Sequence, residues 1–280
     1  MKGEEIKKLV KEGYGNVASK NHSCCGPGSV HSHQKGCREK ISRKIGYTDT
    51  DMSAVPEESN LGLGCGNPIA LASLKEGDTV LDLGSGAGFD CFLAANKVGS
   101  TGKVIGVDMT PEMVEKARGN AKKGNYQNVE FRLGEIEKLP VEDNSVDVII
   151  SNCVVNLSPD KKKVFEESFR VLKPGGSLMV SDIVLLKDLP DVIKNSPPAY
   201  INCIAGAVKK NEYLGAIREA GFSDVAIVDE VSLPFEVQGN DPVAKAIIED
   251  VHIPAERLEG IVNSVVSIKV YGKKVSSYQV

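Results

Sequence analysis

The sequence predicts an α/β fold on a mostly parallel sheet of about seven strands, with helices on both faces. Three observations carry that expectation. From Asp78 onward short β-branched apolar runs alternate with helical segments of about ten residues. A glycine-rich turn, "LGSGAGFD" (83–90), joins the first run to the first of these helices. The late turn "KPGG" (173–176) leads into a further apolar run, with two more runs near the C-terminus.

In chain order the runs are "TVLDL" (79–83), "KVIGVD" (103–108), "VEFRL" (129–133), "VDVIISN" (146–152) and "SLMVSDI" (177–183). Helices are predicted between them, over 89–97, 111–123 and 161–171. The second opens with Thr110 as cap and Pro111 at the first helical position, the third with Ser158 as cap and Pro159. Alternation of this kind implies right-handed crossovers and a parallel sheet. Residues 188–222 read as helical, broken at Pro197-Pro198. "SDVAIVDEVSL" and "SVVSIKVYGKK" read as two further strands around a helical insertion at 241–263.

Ahead of this core an amphipathic helix is predicted over 4–17. "SKNHSCCGPGSVHSHQKGC" follows as a stretch without regular structure, then a loop segment with a short helix near Met52. The expected division is residues 1–68, a helix and cysteine-bearing loops; 69–235, the core; and 236–280, the insertion and final strand.

At 280 residues with 41% hydrophobic and 26% charged content, the chain can bury a sizeable core. The net charge of −4 argues against a nucleic-acid partner. No apolar run reaches membrane-spanning length, and the start has no signal-peptide core, so a cytoplasmic protein without a membrane partner is expected. Seven cysteines then suit metal or redox chemistry better than structural bridges.

The turn Gly84-Ser85-Gly86 lets backbone approach a ligand, and Asp108, at the end of the second strand, offers a carboxylate to ribose hydroxyls. A dinucleotide-binding dehydrogenase is the structural alternative, but the spacing is G-x-G-x-G after the acidic Asp82. That pattern resembles the first motif of the class I S-adenosylmethionine-dependent methyltransferases, whose Rossmann-like fold and cofactor are thereby implied. "LGEIEKLP" (133–140) resembles their adenine-contacting loop, which selects Ile136 and Glu137, with Glu135 in the generic slot. Met109 either packs on adenine or belongs to the core; Asn152 either contacts the cofactor or ends its strand.

Strand four ends in "SNC", which places Cys153 near the reactive end of that cofactor. Cys65 lies in "LGLGCGNP", between glycines, and Cys203 in "AYINCIAGA", where a core role competes. Three thiolates from separate segments suit a soft, thiophilic centre. Cys91, on the first core helix, reads as packing.

Taken together, "CC" at 24–25, "GCGNP", "GSGAGFDC", "SNCVVNLSPDK" and "INCIAGA" resemble the arsenite S-adenosylmethionine methyltransferases in order and content. The resemblance implies trivalent arsenic held by Cys65, Cys153 and Cys203, with Cys24 or Cys25 as a redox thiol and a small-thiol or thioredoxin-type reductant. Its substrate is arsenite or its thiol conjugates, and it implies no tightly bound metal cofactor. "HSHQKGC" looks inserted relative to the family pattern, so the partner thiol among Cys24, Cys25 and Cys37 stays open, as does a mixed zinc site with His31 and His33. A carbon- or oxygen-methyltransferase of a small organic substrate and a non-catalytic arsenite-binding protein are the competing functions.

Overall fold

The structure is a computed structural model and describes residues 3–20, 31–70, 72–232 and 264–275. Seven strands form one sheet in the order β3-β2-β1-β4-β5-β7-β6. They are β1 (Thr79–Leu83), β2 (Lys103–Asp108), β3 (Val129–Leu133), β4 (Val146–Asn152), β5 (Leu172–Leu185), β6 (Ser223–Ser232) and β7 (Val265–Lys273). The first five are parallel, and β7 runs antiparallel to both its neighbours. The predicted bounds of the first four strands are reproduced.

Sequence type follows position in the sheet. Central β1 and β4 are largely buried on both faces because helices cover both, whereas β6 at the edge alternates half-buried and exposed residues. Helices α4 (Phe89–Val98) and α5 (Pro111–Lys123) cover one face through Phe92, Ala94, Val114 and Ala117. Helices α6 (Lys161–Val171) and α9 (Lys210–Glu219) cover the other through Val164, Phe165, Tyr213 and Ile217. A fully buried ring such as Phe92 or Phe165 contributes on the order of 2–3 kcal/mol.

The N-terminal part holds α1 (Gly3–Lys20), α2 (His31–Lys44) and α3 (Asp49–Ser53). Thr48 and Asp51 form a reciprocal capping box that starts α3. Between β5 and α9 lie α7 (Asp191–Lys194) and α8 (Pro197–Ile201).

Four local expectations need correction. Residues 31–37 are helical, as the start of α2; glycine at 36 costs helix propensity but does not stop the turn. Helix α6 is capped by Asp160, whose side chain accepts from Lys163 N, because Ser158 is engaged with Glu137. Pro197 opens α8, with Ser196 as cap, since proline is tolerated in a first turn; the break falls just before it. Cys203 sits in a turn beyond α8 and not on a helix. The predicted insertion at 241–263 lies outside the described residues.

Candidate active site

Strand order reverses between β1 and β4, and in open α/β sheets that is where the ligand crevice lies, at the carboxyl ends of the strands. The β1 side is the glycine turn. Gly84 has φ +66°, and a Cβ there would lie 2.0 Å from Val154 Cγ2, so only glycine fits. Its N–H and that of Ser85 both donate to Val107 O. At Gly86 an added Cβ would meet nothing within 4 Å: this part of the turn borders open space. Asp108 fixes the turn by accepting from Gly86 N (2.9 Å), while its other oxygen accepts from Thr110 N (2.8 Å). Ser85 Oγ is buried without a partner among the described residues, the orphaned polar atom expected beside a ligand.

Behind this turn the structure packs acids together. Asp82 accepts a bond from the Cys91 thiol (3.2 Å), and burial beside Asp90 pushes its carboxyl well above the usual range. Burial likewise pushes Asp90 up to about 6, against the opposing bonds from Tyr47 (2.6 Å) and Asn152. Cys91 is fully buried in the α4 face of the core. Glu137 accepts from Ser158 Oγ (2.7 Å) and pairs with Lys7, which also binds Glu135; Ile136 packs on the core.

The β4 side brings the three thiols together. Cys65, Cys153 and Cys203 share one apolar cluster with Leu157, Ile183, Tyr200 and Ile204, and Met109 packs against it. Cys203 Sγ donates to Cys153 O at 2.9 Å. Cys65 Sγ, Cys153 Sγ and an Asp182 carboxylate oxygen lie within 4.8 Å of one another. Interactions with Cys203 and Cys65, then burial, hold the Cys153 thiol well above its ordinary range; burial raises that of Cys65. The Cys65 and Cys153 thiols are therefore neutral at physiological pH.

Two of these cysteines have left-handed backbones, Cys153 at φ +60° and Cys203 at φ +64°. Such a conformation costs a cysteine roughly 1–2 kcal/mol, and strain of this kind gathers at functional sites. Bonds from Cys153 N to Ser181 O (2.8 Å) and from Cys203 N to Tyr200 O (2.9 Å) hold it.

Asn152 joins the two sides. Its Oδ1 accepts from Cys65 N (3.0 Å) and Gly66 N (3.3 Å), and its Nδ2 donates to Gly66 O, Tyr47 Oη and Asp90. Close approach explains the glycines flanking Cys65: a Cβ at Gly64 would lie 2.7 Å from Asn152, and one at Gly66 1.9 Å from Ser181 Oγ. Ser267 Oγ, on β7, donates to Cys65 O (2.9 Å). Helix α1 roofs the crevice, with Lys7 on the two glutamates and Tyr14 Oη donating to Ile201 O (3.2 Å) beside the thiols.

A family model described as "Methyltransferase domain" matches residues 74–221, more than half of the chain. The chain belongs to this methyltransferase family. Among curated relatives it is 50% identical over 230 residues to an arsenite methyltransferase of Halobacterium salinarum, covering 80% of this chain and 59% of the relative. It is 34% identical to the human arsenite methyltransferase, covering 81% of this chain and 61% of that one. The chain thus spans about three fifths of the length of these curated relatives. A solved arsenic(III) S-adenosylmethionine methyltransferase from Chlamydomonas reinhardtii superposes with TM-score 0.62 at 31% identity, covering 85% of this chain and 74% of that one. A phosphoethanolamine N-methyltransferase of Haemonchus contortus (TM-score 0.60, 19% identity, 89% and 61% covered) shares the fold.

Within the methyltransferase fold, the structure gathers Cys65, Cys153 and Cys203 at one end of the crevice and Gly84, Ser85, Gly86 and Asp108 at the other. Cys24 and Cys25 lie outside the described residues, and of Cys37 only its place on α2 is described. Sequence reasoning gave no role to Tyr14 and missed Tyr47, Asp90, Asn156 and Asp182. For Asp182 a signal existed: a carboxylate within the apolar run "SLMVSDI" has to find buried partners.

Proposed function

We propose that this protein methylates trivalent arsenic held by the thiols of Cys65, Cys153 and Cys203, with S-adenosylmethionine as donor. The observation that carries the reading is the convergence of three cysteines from three separate segments, two of them in left-handed backbone, at the carboxyl ends of the strands. Packing alone would not select cysteine at those positions. The named activity of the curated relatives and of the algal structure supports the same substrate.

The crevice fits the donor. Open space at Gly86, the orphaned Ser85 hydroxyl and the Asp108 carboxylate can hold the nucleoside end, and Met109 and Ile136 offer apolar surface. The donor supplies an electrophilic methyl group. Neutral thiols suit the arsenic side, because each As–OH bond exchanges for As–S as the thiol proton leaves with hydroxide as water. Three such bonds leave arsenic one lone pair, which forms the new As–C bond as the donor's S–C bond breaks. The thiols hold that lone pair in line, and no general base is needed since arsenic loses no proton.

Methylation leaves arsenic pentavalent. A dithiol that closes to a disulfide returns the two electrons, and a small thiol or thioredoxin-type reductant reopens it. Cys24 or Cys25 is the thiol proposed for this step. A cytoplasmic location fits that need for reduced thiols. The test is transfer of labelled methyl to arsenite with excess thiol, in the wild type and in Cys153→Ser. Labelled methylarsenicals made by the wild type and lost in the variant support the reading. Absence of any arsenic product from wild type that binds the donor overturns it in favour of an organic substrate.

A further inference from the structure

The thiol cluster carries a second feature. One trio of donor atoms, Cys65 Sγ, Cys153 Sγ and an oxygen of Asp182, lies within 4.8 Å of one another, all buried. Cys203 Sγ is instead committed to Cys153 O at 2.9 Å. Arsenic can recruit the third thiol only by breaking that bond. The two sulfurs need no such release, and Asp182, which accepts two bonds at each oxygen, need give up only its longest, from Asn156 N at 3.3 Å.

Asp182 is held firmly. Its Oδ1 accepts from Asn156 Nδ2 (2.8 Å) and Ile183 N (2.8 Å), and its Oδ2 accepts from Tyr213 Oη (3.0 Å) and Asn156 N (3.3 Å). A carboxylate so oriented resembles the outer-shell-supported ligands of metal sites. A trivalent arsenic centre, which takes three thiolates, has no evident use for it. A divalent cation does: two thiolates and a carboxylate suit the borderline softness of zinc. Such a complex carries one net negative charge, and the half-buried Lys161 side chain, near both Asp182 and Cys203, offsets it.

We propose that Cys65, Cys153 and Asp182 form a binding site for a zinc-type divalent cation, with water in the fourth position, and that this cation competes with arsenite for the two shared thiols. In a tetrahedral zinc complex the sulfurs stand about 3.7 Å apart, so side-chain shifts of about an ångström complete the site. Binding displaces the two thiol protons to solvent, and no redox change occurs. The competition rests on the function proposed above; the binding itself does not.

The test uses the full chain with Cys24, Cys25 and Cys37 changed to serine, which removes the N-terminal thiols as a second zinc site. Co2+ titration reads the site through its sulfur-to-cobalt charge-transfer band. Asp182→Asn is expected to weaken Co2+ binding about tenfold or more, while Cys203→Ser leaves it within about twofold. Zinc X-ray absorption on the same protein with Asp182 intact is the second measurement, and it is independent of whether Asp182→Asn folds. About two sulfurs near 2.3 Å with oxygen completing the shell are expected. Three or more sulfurs, or Co2+ binding indifferent to a folded Asp182→Asn, overturn the site. Zinc inhibition that added arsenite does not relieve overturns the competition. Zinc binding in this variant, together with a wild-type protein that binds the donor but yields no methylated arsenic, would refute the proposed function and leave the metal site standing.

Discussion

The side chain of Asn152 makes five hydrogen bonds, and three of them go to the backbone of the loop that presents Cys65. Asn152→Ala removes all three, at Cys65 N, Gly66 N and Gly66 O. At about 1 kcal/mol net for each, the loop loses about 3 kcal/mol of its closed state. Tyr47 and Asp90 lose a donor as well, on the side of the glycine turn. If arsenite needs Cys65 where the structure places it, affinity falls by about a hundredfold, since each 1.4 kcal/mol is tenfold. The assay is equilibrium arsenite binding without the methyl donor, read by the ultraviolet absorbance of arsenic–thiolate bonds. Omitting the donor separates the loop role from the cofactor contact that the sequence assigned to Asn152. Water entering the vacated volume would soften the loss to about tenfold. A change below about threefold, in a variant whose fold is intact by circular dichroism, would refute the reasoning that Asn152 positions Cys65.

Gly84→Ala and Gly86→Ala should separate in their effects. The first drives a Cβ into Val154 and should lower stability by several kcal/mol, whereas the second enters open space and should cost about 1 kcal/mol of backbone strain while weakening donor binding at least tenfold. Thermal melts with calorimetric donor titration check both; equal melting losses would sink the distinction. Asp90 gives a pH prediction. Its folded-state value of about 6 lies above the ordinary 3.8, so its contribution is most favourable below about pH 4 and is lost as pH rises through about 6. Between about pH 4.5 and about pH 7.5, Asp90→Asn should therefore lose about 2 kcal/mol less stability than the wild type in urea titrations. Parallel pH profiles would contradict it.

Local chemistry made the sheet and half of the crevice legible. Strand bounds at 79–83, 103–108, 129–133 and 146–152 could be read because buried parallel strands are short apolar runs cut by turn residues. The glycine turn was legible because a left-handed φ at Gly84 tolerates no side chain beside Val154. The thiols were legible for a different reason: cysteine between glycines, or at the carboxyl end of a central strand, is poor packing material. The missing pieces depend on contacts across the fold. Tyr47 meets Asp90 and Asn152 over long stretches of chain, and no periodicity announces such a meeting. The left-handed turns at Cys153 and Cys203 leave no mark in residue type, since the site imposes the conformation on a residue that would otherwise avoid it.

That pattern bears on how the site is built. The residues the sequence revealed are those whose type is unusual for packing where they stand, the thiols and the glycines. Those it concealed, Tyr47, Asp90, Asn156 and Asp182, touch the first group and hold it in place. A thiol in such a place advertises itself by type; the carboxylate or amide beside it is one of many polar residues until the fold closes. The sequence offered Asn152 as a cofactor contact or the end of a strand, yet it also ties the Cys65 loop to Tyr47 and Asp90 behind the glycine turn. The same bonds would couple the two ligands. If the protein binds arsenite as proposed, a donor that orders the glycine turn lowers the cost of ordering the Cys65 loop, and arsenite at Cys65 by reciprocity favours the donor.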